Sequence, residues 1–211
     1  MAPSSSGLGL WTFAPATRVQ IPLGSLIMIT TKDVIEYVLP EEDYKRVQSN
    51  AKLAAIGGVS RIRDKDSRRK NLHEDQLVGQ ISTYAGSVVL TGSAEGYYQA
   101  RDIANANPYE GDGGVDIIGL DNIDIKGSLM RASSDPLDYR LLVRPKERHD
   151  QWIYILAMVP KSRPYKTYLV GWAYDKDLPD EPNKSGIFEG AFVIRGGNLR
   201  KMEQLLSLKN E

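Results

Sequence analysis

The sequence predicts an α/β (α+β) fold, a mixed central β-sheet flanked by helices. Two observations carry this. Apolar residues recur at helical period through the first half of the chain and at strand period through the second, with one more helical pattern at the end. That order favours a mixed or α+β core over a doubly wound parallel sheet. The run WIYILAMV (152–159) is apolar almost without a break, as a strand buried on both faces is. The 211 residues suit one domain that can bury a core without disulfide or metal staples.

Residues 1–27 carry a single charge, Arg18, with three prolines and a Ser-Gly run. They are expected to form a disordered extension. Their apolar stretches are too short to span a bilayer, and no basic stretch precedes them as in a secretory leader. One domain then spans 28–211, with N-terminal helices and a basic loop over 28–70 and the core over 71–211. Thr31 is placed to cap a helix carrying Val34, Ile35, Val38 and Leu39. A second helix over 41–60 turns Tyr44, Val47, Ala51, Ala54 and Ala55 inward and ends at Gly57-Gly58. A third, over 71–90, has its stripe at Leu77, Val78, Ile81, Ala85 and Val88, and Gly79 and Gly86 would permit close packing. Residues 94–105 fit either a short helix or an irregular excursion. Strands are expected at 115–120, 123–130, 139–144, 152–159 and 167–174, and a short one at 192–194. A polar loop occupies 175–190. The terminal helix takes Asn198 as cap and turns Leu199, Met202, Leu205 and Leu206 inward.

Composition removes whole classes of chemistry. There is no cysteine, so disulfides, thiolate metal sites and cysteine nucleophiles are excluded. Two histidines, His73 and His149, leave little for a histidine-based site. Lys+Arg and Asp+Glu number 27 each, so any attraction to nucleic acid must come from a local patch. One such patch is RIRDKDSRRK (61–70), with six basic residues, including Arg61, Arg63, Arg68, Arg69 and Lys70, against two acids. Most charge runs are solvated loops. Its place directly before the third helix also makes it a candidate phosphate contact.

Candidate chemistry concentrates in GDGGVDIIGLDNIDIKGS (111–128). Asp124 and Lys126 are two apart in a strand and leave the same face. An acid and a lysine inside an apolar strand are costly unless paired or functional. Asp116 stands eight residues upstream, and Glu74 falls on the apolar stripe of the third helix. Glu74 also completes a capping box with Asn71, and the two roles are compatible. If Glu74, Asp116 and Asp124 converge, a proton or a cation must relieve their repulsion, about 4 kcal/mol per pair at 4 Å and an effective dielectric near 20. Oxygen donors without His or Cys favour Mg²⁺ or Mn²⁺. One geometric condition applies. A strict two-residue hairpin at Asp121-Asn122 would put Asp116 and Asp124 on opposite faces, so convergence needs a bulge or bend near Asp116, for which Gly113, Gly114 and Gly119 are suited. Asp112 is the substitute acid.

Helix acid, strand acid and Asp-x-Lys in this order resemble the PD-(D/E)XK nuclease superfamily, the restriction-endonuclease-like fold. The matching positions are Glu74, Asp116 and Asp124-Ile125-Lys126, with Val115 where the family pattern has proline. The runs DQWIYILAMV and KTYLVGWAYDKDL are also similar to phage and bacterial members, and the resemblance covers about residues 70–210. It implies a restriction-endonuclease-like core, with 71–211 as the catalytic part, and Mg²⁺-dependent hydrolysis of DNA phosphodiesters, as an endonuclease. Asp116, Asp124, the Ile125 carbonyl and Glu74 would hold the metal, and Lys126 would position the attacking water. Basic loop 61–70 would contact DNA. A cytoplasmic protein of a bacterial or phage-infected cell follows, without membrane contact, and duplex cutting would suit a homodimer. Two other readings remain open: a non-catalytic nucleic-acid-binding protein on the same fold, and a structural or interaction protein in which Asp124–Lys126 is a buried ion pair.

Overall fold

The computed structural model describes residues 28–61, 72–106, 116–131 and 134–208. Outside them lie residues 1–27, Arg63, Arg68, Arg69 and Lys70 of the basic loop, Asn71, and the stretch containing Asp112, Gly113 and Gly114. The chain order is β1 (Ile35–Val38), α1 (Glu41–Arg61), α2 (Leu72–Thr91), α3 (Glu95–Ala106), β2 (Ile123–Met130), β3 (Arg140–Val143), β4 (Ile153–Pro160), β5 (Lys166–Tyr174), β6 (Phe192–Arg195) and α4 (Met202–Leu208).

The continuous apolar run becomes β4, and all eight of its residues are buried. Burial of each large aliphatic side chain there contributes roughly 1.5–3 kcal/mol. β4 has neighbours on both edges, β2 in parallel and β5 in antiparallel, and β1 extends the sheet beyond β5 in antiparallel. The sheet order is therefore β1-β5-β4-β2, with mixed strand directions. On one face Ile123, Ile125, Ile153, Ile155 and Leu169 pack with Leu90 of α2 and with Met202 and Leu205 of α4. α1 and α3 join α2 through Val47, Ile81, Tyr84 and Tyr97. On the other face Tyr154, Leu156, Met158 and Val170 pack beneath Leu141, Val143 and Phe192. Those three belong to a separate two-stranded ribbon, β3 antiparallel to β6. The fold is thus mixed α/β, a mixed sheet with helices on one face and a β-ribbon on the other.

Three expected elements come out differently. The segment expected as a helix from Thr31 to Leu39 is a 3₁₀ turn, Thr31–Asp33, followed by strand β1. Thr30 caps it, with its N–H and hydroxyl both donating to Asp33 at 2.7 and 2.8 Å. The β-branched and aromatic run after it pairs with β5 instead of coiling. The expected strand at 115–120 is a set of bends and turns from Asp116 to Leu120. Its backbone groups are spent locally: the Leu120 N–H donates to Ile117 O and the Ile123 N–H to Leu120 O, while the Ile118 N–H donates to Gly96 O. Gly119 at φ 88° supplies the left-handed residue of this turn. The terminal helix begins at Met202 rather than after Asn198. Ahead of it, Gly196–Asn198 form a 3₁₀ turn and Arg200 exchanges two backbone hydrogen bonds with Trp172 of β5. The undecided stretch 94–105 is helical, as α3.

Candidate functional site

β2 is an edge strand, and its residues alternate between two environments. Ile123, Ile125 and Gly127 face α2. Asp124, Lys126 and Ser128 face the side covered by the ribbon. Gly127 makes the close approach of α2 possible: a Cβ there would stand 2.5 Å from Ser82 Oγ and 3.0 Å from Val78 O. Gly86 lies against Ile125 farther back along β2. α2 therefore runs antiparallel to β2, with its C-terminal half at the Asp124 end.

The Lys126 ammonium lies 2.7 Å from Asp124 Oδ2 and 3.0 Å from Glu147 Oε2. The three side chains are only 15–27% exposed. Glu147 comes from the 3₁₀ turn Pro145–Glu147, which follows β3. Pro145 presets the backbone of that turn. Glu147 Oε2 also accepts from the Arg144 N–H at 3.3 Å, and Oε1 lies 3.5 Å from the Arg144 guanidinium. Tyr154, the register partner of Asp124 on β4, anchors the same loop. Its hydroxyl donates to Glu147 O at 3.0 Å and accepts from the His149 N–H at 2.7 Å.

Two carboxylates sharing one ammonium leave an excess negative charge. Burial raises Asp124 above its usual range; Lys126 and His149 oppose the rise, and Glu147 adds to it. Burial acts against the Lys126 charge, but Asp124 and Glu147 outweigh it and the lysine is held above its ordinary value. Burial likewise works against Glu147, yet Lys126 and the Arg144 N–H hold it below the usual range. Burial thus weighs most on Asp124, the less exposed of the two carboxylates.

The structure brings together Asp124 and Lys126 and does not bring Glu74 to them. Glu74 sits in the first turn of α2, on the opposite face of the sheet and at the Met130 end of β2. It lies 3.7 Å from Lys161, whose N–H donates to Met130 O. Asp116 stands at the Asp124 end. Its neighbour Ile117 is fully buried, in one cluster with Leu90 and Ile123, and Asp116 itself is half-buried. Ile125, expected to lend its carbonyl, turns its side chain to the α2 face. Arg61 closes α1.

Glu147 is the member that sequence reasoning missed. It lies 21 residues beyond Lys126, in a stretch, RPKERHD, that reads as a polar turn. The available signal was Pro145 with Glu147 two residues later, the pattern of a capped turn that holds a carboxylate in place. Among the described residues no group of three or more His, Asp or Glu is arranged to hold a metal ion. Asp124 and Glu147 form a two-carboxylate set.

A cleft of about 360 Å³ lies along the outer edge of β2, at Gly127 to Leu129. Asp75, Gln76 and Val78 of α2 line one wall, Gly127 to Leu129 the floor, and Arg144 the other wall. It joins the cluster at Arg144, which touches Glu147. Among the described residues no helix is long and apolar enough to cross a membrane. A scan against protein-family models, a search of curated proteins and a search of solved structures each find no match.

Proposed function

We propose that this protein is a metal-dependent hydrolase of DNA phosphodiester bonds and that Asp124, Lys126 and Glu147 form its working site. The observation that carries this reading is the Lys126 ammonium held between two largely buried carboxylates at an edge strand, beside an open cleft. Carboxylate oxygens are the donors Mg²⁺ and Mn²⁺ take, and two of them suffice when water and a substrate phosphate complete the shell. Asp124 and Glu147 would hold the ion, with Asp116 as a further candidate from the same end of β2. Bound there, a divalent ion would neutralise phosphate charge and lower the pKa of a water. Lys126 donates to the attacking water or to a phosphate oxygen and steadies the charge that develops on it. Water adds to phosphorus, the P–O bond to the leaving sugar breaks, and a proton passes to the leaving oxygen. Glu74, across the sheet, has no part in this step. The choice of DNA rests on the resemblance to PD-(D/E)XK nucleases and on the order of Asp116, Asp124 and Lys126.

The test is cleavage of plasmid and single-stranded circular DNA with Mg²⁺ or Mn²⁺, beside EDTA. Metal-dependent cutting is expected, and Lys126→Ala is expected to reduce it roughly 10²–10⁴-fold. Cutting that survives this substitution, or no cutting on either substrate, counts against the reading.

A second reading has its own observation. Lys126 already bridges two carboxylates, so the cluster also suits a structural ion triad. Such a triad loses stability when either carboxylate is neutralised. In a working site the surplus carboxylate is a burden on the fold.

A further inference from the structure

The outward face of the β3–β6 ribbon sets two arginines directly against each other. Arg140 and Arg195 are register partners. The Gly196 N–H donates to Tyr139 O at 2.8 Å in the preceding pair, so Arg140 and Arg195 form a narrow, non-hydrogen-bonded pair whose Cα atoms stand about 4.5 Å apart. Like charges directly opposite one another destabilise a strand pair. Among the described residues, neither arginine forms an ion pair with a carboxylate to offset this. Arg140 is half-buried and lies over the Phe188 ring at 5.1 Å, and Arg195 is exposed. The alternate residues of the ribbon, Leu141, Val143 and Phe192, are packed in the core, so this face is turned away from it. Arg144 continues the outward phase of β3, four residues and roughly 13 Å beyond Arg140. It is 52% exposed and borders both the β2 cleft and Glu147.

We propose that Arg140, Arg195 and Arg144 form a track for the sugar-phosphate backbone of a nucleic acid strand that leads to the Asp124–Lys126–Glu147 cluster. The proposal extends the hydrolase reading, on which the choice of nucleic acid rests. Guanidinium forks match phosphate oxygens bidentately, and a phosphate between Arg140 and Arg195 would turn their repulsion into attraction to a shared anion. The extent of the track favours a polyanion over one small ion. In a chain of zero net charge, this local concentration is what would draw the strand in.

The experiment reads binding in EDTA, so it stands whether or not the protein hydrolyses DNA. Fluorescence anisotropy of labelled single-stranded and duplex oligonucleotides is followed against salt for wild type, Arg140→Gln, Arg195→Gln and the charge-matched control Lys52→Gln on α1. Each arginine variant is expected to bind more weakly and to flatten the slope of log K against log salt by about 0.7–0.9. The control is expected to keep both. Arg195→Gln is expected to melt no lower than wild type, because it relieves the like-charge pair. No binding by wild type, unchanged slopes in the arginine variants, or an equal loss in Lys52→Gln would overturn the proposal. So would preferential capture of a polyglutamate peptide over the oligonucleotides.

Discussion

Lys126 serves two carboxylates, and their unequal burial separates their roles. The folded pKa of Asp124 is raised. A raised carboxylate favours the fold below its unfolded value and weighs against it once pH rises through the folded value. At pH 7 Asp124 therefore carries a stability cost, and Asp124→Asn is expected to melt at or above wild type, with any gain vanishing as pH falls below 3.8, its ordinary value. Glu147 is lowered, so its contribution is present above its unfolded value and is lost as pH falls through the folded one. Glu147→Gln is expected to melt lower at pH 7. Thermal melts of both variants from pH 3 to 7 (roughly the window of these carboxylates) check this; equal destabilisation by both would favour the structural triad. Asp124 and Lys126 were legible in the sequence because two charged residues interrupt an apolar strand on one face. Glu147 was not, because its position depends on the Pro145 turn and on the Tyr154 hydroxyl, contacts that no local pattern encodes. Glu74 was misplaced for a related reason: its helical face is readable, but the direction in which α2 crosses β2 is not.

At the scale of elements, the contact of α2 with β2 depends on Gly127. A Cβ at that position meets Ser82 Oγ and the Val78 carbonyl, the second being backbone that cannot swing aside. Gly127→Ala is expected to cost about 1–3 kcal/mol, as overpacking does, and Ser82→Ala in the same chain is expected to recover part of it. Denaturant melts measure both. Wild-type stability in the single variant would mean that α2 tolerates displacement from β2. Gly86 also abuts β2, as its place in the helix suggested, whereas Gly79 has open space beside it. The elements read most securely were those with a long period: α1, α2, β2, β4 and β5. The segment 31–39 failed because so short an apolar run fits a helical stripe and a strand alike, and pairing with β5 decided between them. The segment 115–120 failed because Ile117 and Leu120 are buried through turns, with the Ile118 N–H bonded to Gly96 O rather than to a neighbouring strand.

Across the whole molecule, the end of the chain is tied back to the sheet by a polar clamp. Arg200 donates to Asp177 at 2.7 and 2.8 Å, its guanidinium lies 5.3 Å from the Trp172 ring, and the Trp172 indole N–H donates to Lys201 O. Burial alone would raise Asp177, but Arg200 and the Tyr174 N–H outweigh it and hold the carboxyl below 3.8. A lowered carboxylate stabilises above its unfolded value and loses that contribution as pH falls through the folded one. Asp177→Asn is expected to cost about 1–2 kcal/mol at pH 7, allowing for side chains about a quarter exposed. The gap from wild type is expected to close below pH 3.8; a gap independent of pH would mean that the clamp acts through shape alone. The mixed sheet with flanking helices was readable from the order of periodic segments and the two-sided burial of β4. The separate β3–β6 ribbon was not, because its strands lie 52 residues apart from Arg140 to Phe192 and nothing local announces that they pair.

The claim on which the proposed function turns is that Asp124 and Glu147 form a cation site. Calorimetric titration of Mg²⁺ and of Mn²⁺ into wild type, Asp124→Asn and Glu147→Gln tests it most directly. One bound ion in wild type, lost in each variant while the fold persists, is the predicted result. No binding by wild type, or binding undiminished in both variants, would contradict it and leave the three side chains as a structural ion triad.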